Sequence, residues 1–185
     1  MSALLAVFLL LQSADCSNKF DVTGRYANED YGFEVTIPPG LTGHWNSAGC
    51  MKDGAACICM SDHGRIIPLG NHGWLEAYVG YMNIDGGDLP EKARDDYETF
   101  GIDDDEVTRV RQRFFRAARL GALPAVRFQV EYRRKGRTWI HEEIEARDEG
   151  IDFVLIYDVP KDAYAQHLGA FESLVQSWKR VPIEE

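Results

Sequence analysis

The chain has 185 residues, of which 45% are hydrophobic, and its formal net charge at pH 7 is −10. This length and composition fit a globular protein with one domain and a sizeable core. The acidic balance argues against nucleic acid as a partner, because phosphate binding requires a basic surface.

The first fifteen residues have the pattern of an export signal. An uncharged apolar run extends from Ala3 to Leu11 and gives way to Gln12, Ser13 and Ala14. Nine apolar residues are too few to span a bilayer, which takes about 20 in a helix, but they suit a secretory signal. We expect residues 1–15 to direct export to the periplasm or cell envelope. No Lys or Arg precedes the run, so a buried helix of a cytosolic protein and a retained membrane anchor are the alternatives.

Cys16 follows this segment directly, and the order Ser13, Ala14, Asp15, Cys16 resembles the end of a bacterial lipoprotein signal. In such signals the cysteine becomes the acylated first residue. Asp15 departs from the pattern, because the position before the cysteine normally holds a small uncharged residue. Lipidation of Cys16, which would tether the protein to a membrane, and ordinary cleavage near Ala14 or Asp15 both stay open.

After a lead-in over residues 16–30, the pattern becomes that of half-buried strands. In GFEVTIPPG, apolar residues alternate with polar ones from Phe33 to Ile37, and Pro-Pro-Gly ends the run. Pro68 and its flanking glycines bracket a short strand in GRIIPLGNHG. The alternation resumes from Leu75 to Tyr81 in WLEAYVGYMNI, which predicts a further strand.

The stretch DGGDLPEKARDDYETFGI changes to helical spacing. Asp88 suits an N-cap, Pro90 suits the first turn, and apolar residues recur every three or four positions from Ala93 to Phe100. Gly101 would end this helix.

Charge then changes sign along the chain, from an acidic stretch at Asp85 to Glu106 to a basic one that begins at Arg109. Arg109, Arg111 and Arg113 alternate, so on a strand they would share one face. Two interpretations follow for this face. It either binds an anionic ligand or lipid headgroup, or it is solvated and paired with acids of a neighbouring strand such as Glu143 and Glu145.

A hydrophobic meander and a closing helix complete the pattern. Lys135-Gly136 and Glu149-Gly150 predict hairpin turns between runs rich in Val, Ile, Phe and Tyr. The final segment PKDAYAQHLGAFESLVQSWKR has an apolar stripe at helical spacing. The stripe consists of Tyr164, Leu168, Phe171, Leu174, Val175 and Trp178.

From Tyr31 to Val181 the sequence resembles the PsbP-like superfamily. The resemblance rests on a strand of the form Gly-Phe-x-x-x-x-Pro-Pro-Gly, a central helix, an antiparallel meander, and YDVPKDAYAQHLGAFESLVQSW as a closing strand and helix. That superfamily includes an extrinsic photosystem II subunit, Ran-binding proteins and many exported bacterial lipoproteins. It implies an α/β fold of α+β type, with a central antiparallel sheet flanked by helices as an α/β/α sandwich, and one domain over residues 31–181. Residues 44–72 depart from it as an insertion.

Three of the four cysteines, Cys50, Cys57 and Cys59, lie within ten residues in this insertion. In an exported protein the first expectation for such cysteines is a disulfide. Cys57 and Cys59 would point the same way on a strand, so a bond between them would be strained, whereas Cys50 can pair with either. If Cys16 is lipidated one thiol is left over, and if it is not, two bridges with three connectivities stay open.

A metal site is the alternative for this insertion. Its candidate ligands for zinc or copper are Cys50, Cys57, Cys59, His63 and His72, with His44 and Met60 as further side chains of the same kind. Against it, Cys-x-Cys lacks the spacing of common zinc pairs. A nucleophilic thiol with His63 or His72 as its base would also need an orienting group and an oxyanion pocket, which no motif supplies.

Other catalytic and metal motifs are missing from the sequence. HEEIE at His141 lacks the second histidine of a zinc protease. The run from Asp103 to Glu106 lacks the spaced ligands of a calcium-binding EF-hand, so a solvated acidic turn is expected. The PsbP-like resemblance implies a binding or assembly protein without a conserved catalytic site. We therefore expect a non-catalytic protein of the cell envelope, without a cofactor, whose partner is an envelope protein or a small ligand. The alternative is a metal- or thiol-dependent envelope protein with its site in residues 44–72.

Overall fold

The computed structural model describes residues 21–45, 50–53, 56–59, 63–82, 87–102 and 104–183, with only the backbone described for 50–53, 56–59, 81, 82 and 110. The predicted export signal, Cys16, Met60 and Asp103 lie outside the described residues. The elements are β1 (Arg25–Asn28), β2 (Phe33–Thr36), β3 (His44–Trp45), β4 (Cys50–Asp53), β5 (Ala56–Cys59), β6 (Gly64–Pro68), β7 (Trp74–Met82), α1 (Leu89–Thr99), β8 (Val107–Leu120), β9 (Leu123–Arg134), β10 (Arg137–Asp148), β11 (Ile151–Pro160), α2 (Tyr164–Ser177) and β12 (Lys179–Arg180).

Seven strands form one antiparallel sheet in the order β3-β6-β7-β11-β10-β9-β8. Its largest part is the meander β8–β11, whose predicted hairpin turns are confirmed. Lys135 and Glu149 have φ angles of +49° and +50°, and a glycine with positive φ follows each of them. Two successive residues with positive φ fit the turn whose twist matches that of the paired strands.

The other described strands form two smaller sheets. β2 pairs with β1 on one side and with β12 on the other. β1 lies within the expected lead-in, and its Tyr26 is buried in the core. β4 and β5 form a separate hairpin within the expected insertion, whereas β3 and β6, also within it, join the seven-stranded sheet.

The main core lies between one face of the seven-stranded sheet and a layer formed by α2 and the small sheet of β1, β2 and β12. Phe171 of α2 stacks on Tyr157 of β11 with ring centroids 5.3 Å apart, and both side chains are buried. Phe33 of β2 meets Phe153 of β11 edge to face. The apolar stripe predicted for the last helix therefore faces the core, as expected.

The opposite face of the sheet carries a smaller apolar cluster under α1. Ala93 of α1 is fully buried against Val126, Phe128 and Val130 of β9. Tyr97 packs beside Phe128, with ring centroids 5.7 Å apart. α1 thus covers the sheet where β8, β9 and β10 lie, and the residues predicted at helical spacing form its buried side.

The α+β class is confirmed, but the expectation of a sheet flanked by helices as an α/β/α sandwich overstated the helical layers. Within the described residues, α1 is the only element on one face, where it covers part of the sheet, and on the other face α2 shares the layer with three strands. The physical reason is that two segments of the chain have helical apolar spacing, while most others alternate. No helix in the described part of the chain is long and apolar enough to cross a membrane.

Arg127 of β9 fastens α2 to the sheet. Its guanidinium donates hydrogen bonds to Glu142 of β10 and to Glu172 of α2, each at 2.6 Å. Glu142 is almost completely buried and also accepts hydrogen bonds from Gln129 and Tyr164. A charged network therefore crosses the boundary between helix and sheet, and every member has a partner.

Replacing Arg127 with Met should lower the free energy of unfolding by about 3 kcal/mol, because the buried carboxylate of Glu142 would lose its cation. Urea denaturation followed by circular dichroism measures this loss. Glu172→Gln is the matched control, since Glu172 is the exposed partner and its loss should cost less than about 1 kcal/mol. Equal losses in the two variants would contradict the role given to Glu142.

Candidate functional site

Five ionisable side chains gather on the α1 face of the sheet, where β7, β11 and β10 lie side by side. We call them the acidic cluster: Glu76, His141, Glu143, Glu145 and Asp158. Side chains alternate between the faces of a strand, so the spacing of two residues among the three β10 members brings them to one face. Their apolar neighbours on β10 point into the main core. The register places Asp158 of β11 directly opposite His141.

His141 is held on both of its ring nitrogens. Nδ1 lies 3.0 Å from Asp158 Oδ2 and Nε2 lies 3.0 Å from Glu143 Oε2. Tyr132 donates a hydrogen bond to Asp158 at 2.8 Å, and the ring of Phe100 lies 4.5 Å from the imidazole. Burial by itself would lower the pKa of His141, but the two carboxylates raise it to about 10. His141 is therefore a buried imidazolium at neutral pH.

This arrangement limits what His141 can do chemically. A general base needs a ring nitrogen with an unshared electron pair directed at a substrate. Both nitrogens of His141 instead direct N–H bonds at carboxylates. The sequence reasoning judged HEEIE only as a failed zinc motif and missed the cluster, although the alternation of His141, Glu143 and Glu145 was a signal that could have located it.

Glu145 is completely buried and receives its cation from α1. Lys92 Nζ lies 2.9 Å from Glu145 Oε2 and 2.7 Å from Asp96 Oδ2. Glu145 Oε1 has no hydrogen-bond partner among the described residues. Burial, followed by the negative charge of Glu143, raises the pKa of Glu145 to about 7.

Glu76 is the half-buried carboxyl of the cluster. Burial raises its pKa to about 7, and the negative charge of Glu143 contributes in the same direction. The cluster has four carboxyls but, in the described part of the chain, only two nearby cations, His141 and Lys92. Protonation of two carboxyls, Glu76 and Glu145, is therefore favoured. The charge of this face therefore changes near neutral pH.

Half-exposed aromatic side chains border Glu76 on the same face. Trp74 and Tyr78 lie two residues to either side of it on β7. Trp139 of β10 lies near Trp74, with ring centroids 6.3 Å apart. We call Trp74, Tyr78 and Trp139 the aromatic border.

The predicted common face of Arg109, Arg111 and Arg113 on β8 is wrong. The register between β8 and β9 shifts between Arg109 and Arg111, so Arg109 lies opposite Tyr132 and Arg111 opposite Glu131. Tyr132 and Glu131 are adjacent on β9 and point to opposite faces of the sheet. An irregularity of this kind inserts an extra residue, which reverses the direction of the side chains that follow.

The predicted partners of these arginines are wrong as well. Glu143 and Glu145 lie in the acidic cluster on β10, which β9 separates from β8. Arg113 pairs with Glu131 at 2.8 Å, and Lys161 pairs with the same carboxylate at 2.9 Å. The hydrogen bond from Lys161 is the main reason that the pKa of Glu131 is lowered.

The candidate cysteines of the insertion lie on the hairpin of β4 and β5. Its backbone register places Cys50 opposite Cys59 and Lys52 opposite Cys57. Sequence reasoning could not distinguish these pairings, because the register depends on where the turn falls.

The candidate histidines contact different parts of the fold. His63 packs beside Tyr31, with ring centroids 5.8 Å apart, and His44 Nδ1 lies 2.8 Å from Asp21 Oδ1. His72 Nδ1 lies 3.0 Å from Nε2 of His167 on α2, a residue that sequence reasoning did not select. Within the described residues, no group of three or more His, Cys, Asp or Glu side chains is arranged to hold a metal ion.

Several solved structures have a fold similar to that of this chain. The solution structure of cyanobacterial PsbP from Synechocystis sp. PCC 6803 has a TM-score of 0.57 and 12% identity, covering 84% of this chain and 91% of that one. LpqN, involved in cell envelope biogenesis of Mycobacterium tuberculosis, has a TM-score of 0.54 and 15% identity, covering 88% and 92%.

A protein of unknown function from Pseudomonas aeruginosa has a TM-score of 0.52 and 10% identity, covering 72% of this chain and 96% of that one. No family model matches the sequence, and no curated protein matches it. The structural similarities show that the chain has the PsbP-like fold, as the sequence patterns predicted.

The protonation of Glu76 predicts how stability depends on pH. A carboxyl whose pKa is raised in the folded state stabilises that state at low pH and loses this contribution as the pH rises through about 7. The raised pKa of His141 acts in the same direction, because its contribution is complete below about pH 6.5 and lost towards pH 10. The free energy of unfolding should therefore fall from pH 5 to pH 8.

Replacing Glu76 with Gln should flatten this fall, since one titrating group is removed. We expect the variant to match the wild type at pH 5 and to exceed it at pH 8 by about 1 to 2 kcal/mol, a range that allows for solvent screening of a half-buried group. Urea denaturation at several pH values measures the free energy of unfolding of the wild type and of the variant. Glu98→Gln, on the exposed side of α1, should keep the wild-type slope, and the same slope in Glu76→Gln would show that Glu76 does not titrate in this range.

Proposed function

We propose that this protein is a non-catalytic binding or assembly protein of the cell envelope. The observation that carries the proposal is the state of His141, whose two nitrogens are both occupied by carboxylates. This strongly perturbed histidine thus neutralises buried charge and has no lone pair with which to accept a proton. LpqN has the same fold and is involved in cell envelope biogenesis, which supports the cellular location.

The aromatic border and the half-buried Glu76 form the surface best suited to a partner. Tryptophan and tyrosine are enriched at protein interfaces, where a large apolar area combines with a polar group. The net charge of −10 favours a basic surface on the other side. We infer that the partner is an envelope protein that presents basic residues.

Photo-crosslinking in the producing cells tests this surface. A benzoyl-phenylalanine introduced at Trp74 or Trp139 should give an adduct of defined mass in the envelope fraction, because each site replaces one aromatic ring with another. Gln166, exposed on α2, is the matched control and should give no adduct. Intact mass measured on the same sample also reports whether Cys16 carries an acyl group. Adducts from neither tryptophan, or from Gln166 as well, would contradict the proposed surface.

We also propose a structural disulfide between Cys50 and Cys59. Residues directly opposite each other in an antiparallel pair have Cα atoms about 4.5 to 5.5 Å apart, within the range that disulfides require. The register of β4 and β5 supports this pairing over one with Cys57, which lies opposite Lys52. The bond would close the hairpin and would not include Cys57.

Peptide mapping without reductant should recover Cys50 joined to Cys59. Cys50→Ser and Cys59→Ser should each lower the free energy of unfolding by about 2 to 3 kcal/mol, because a loop constraint is removed from the unfolded chain. Cys57→Ser is the control and should change stability little. Full alkylation of all three thiols in the exported protein would reject the disulfide and favour a metal- or thiol-dependent function of residues 44–72.

A further inference from the structure

Two histidines from distant parts of the chain meet at the surface beside α2. His72 lies in the turn between β6 and β7, and His167 lies in the second turn of α2. Nδ1 of His72 and Nε2 of His167 are 3.0 Å apart, and both side chains are half-buried. Among the described residues, neither ring has a hydrogen-bond partner other than the opposite ring.

The backbone fixes the position of His72. Its N–H donates a hydrogen bond to the carbonyl of Leu69 at 3.1 Å, and the N–H of Leu69 donates to the carbonyl of Gly73 at 2.9 Å. Gly73 has a φ of +94°, and a Cβ there would collide with the carbonyl oxygen of Asp158. The turn is thus packed closely against β11, which limits where the imidazole can go.

The start of α2 fixes His167 in a similar way. The hydroxyl of Tyr157 on β11 donates a hydrogen bond to the carbonyl of Tyr164, the first residue of α2. One turn later the helix presents His167 towards His72. The segments that carry the two imidazoles therefore both contact strand β11.

The distance between the two nitrogens matches that of two ligands bound to one metal ion. A bond from zinc to a histidine nitrogen is about 2.0 to 2.1 Å long, so ligands about 90° to 109° apart place their nitrogens about 2.9 to 3.3 Å from each other. Imidazole suits zinc and copper ions. Imidazole binds a metal ion through a ring nitrogen that carries no proton.

We propose that His72 and His167 form a two-histidine site for a borderline divalent metal ion such as Zn²⁺, with water in the remaining coordination positions. The ion would replace the hydrogen bond between the rings and join the turn before β7 to α2. The site is separate from the aromatic border and from the cysteine hairpin, and it goes beyond the binding function proposed above. Of its ligands, only His72 belonged to the metal set expected from the sequence.

Titration calorimetry with Zn²⁺ at pH 7.5 on the purified full chain tests the site. We expect one equivalent to bind, and His72→Gln and His167→Gln each to weaken binding by more than about tenfold, since even loss of an outer partner of a ligand costs that much. His44→Gln is the matched control, because His44 is an exposed histidine paired with Asp21. The affinity of this variant for Zn²⁺ should stay within twofold of the wild-type affinity. Circular dichroism confirms that each variant is folded.

Nuclear magnetic resonance of the histidine rings gives an independent measurement. At one equivalent of Zn²⁺ the ring signals of His72 and His167 should shift together, while those of His44 and His141 stay in place. Absence of binding would overturn the proposal. So would equal affinity in wild type and His167→Gln, because the ion would then be bound elsewhere, for instance at the cysteines.

Discussion

The structure depends on the difference in composition between the two faces of strand β10. On β10, Ile144 and Ala146 are buried towards α2, whereas His141, Glu143 and Glu145 point towards α1. A shift of one residue in the register would exchange these two sets. It would place three ionisable groups in the main core, so the register is strongly specified.

The buried carboxylates on the α1 face are tolerated because two cations, on different elements, pair with them. His141 lies on β10 within the sheet, and Lys92 lies on α1. The apolar cluster around Phe128 sets the position of α1. A buried ion pair seldom adds stability over an apolar replacement of the same volume, but removing one partner is costly. The ion pair between Lys92 and Glu145 therefore adds a constraint on the position of α1 more than it strengthens the fold. The cluster also occupies both ring nitrogens of His141 with carboxylates.

Much of the fold followed from patterns within single segments. The alternation from Phe33, the helical spacing from Ala93 and the Lys135-Gly136 turn each correspond to an element of the structure. Such patterns report on neighbours a few residues apart. They do not report a shift in register between strands, and for this reason the arginines of β8 were assigned to one face.

The candidate site was harder to predict because its members are distant in sequence. Glu76 and Asp158 come near His141 only because β11 lies between β7 and β10 in the sheet. Along the chain, β11 follows both of these strands. The same holds for the pair of His72 and His167, which are 95 residues apart. From spacing along the chain, His72 could be grouped only with the cysteines near it in sequence.

The acidic cluster and the pair of His72 and His167 also differ in the metal ions that they can bind. In the acidic cluster, His141 and Lys92 already supply positive charge to the carboxylates, and hard oxygen ligands would favour ions such as calcium or magnesium. The two histidines beside α2 have no carboxylate between them and offer two imidazole nitrogens at a distance suited to one ion. A further cation at the cluster would compete with cations that are part of the fold, whereas a metal ion at the histidines would displace one hydrogen bond. The chemistry of these residues therefore directs a transition metal to the histidine pair and leaves the cluster as part of the architecture.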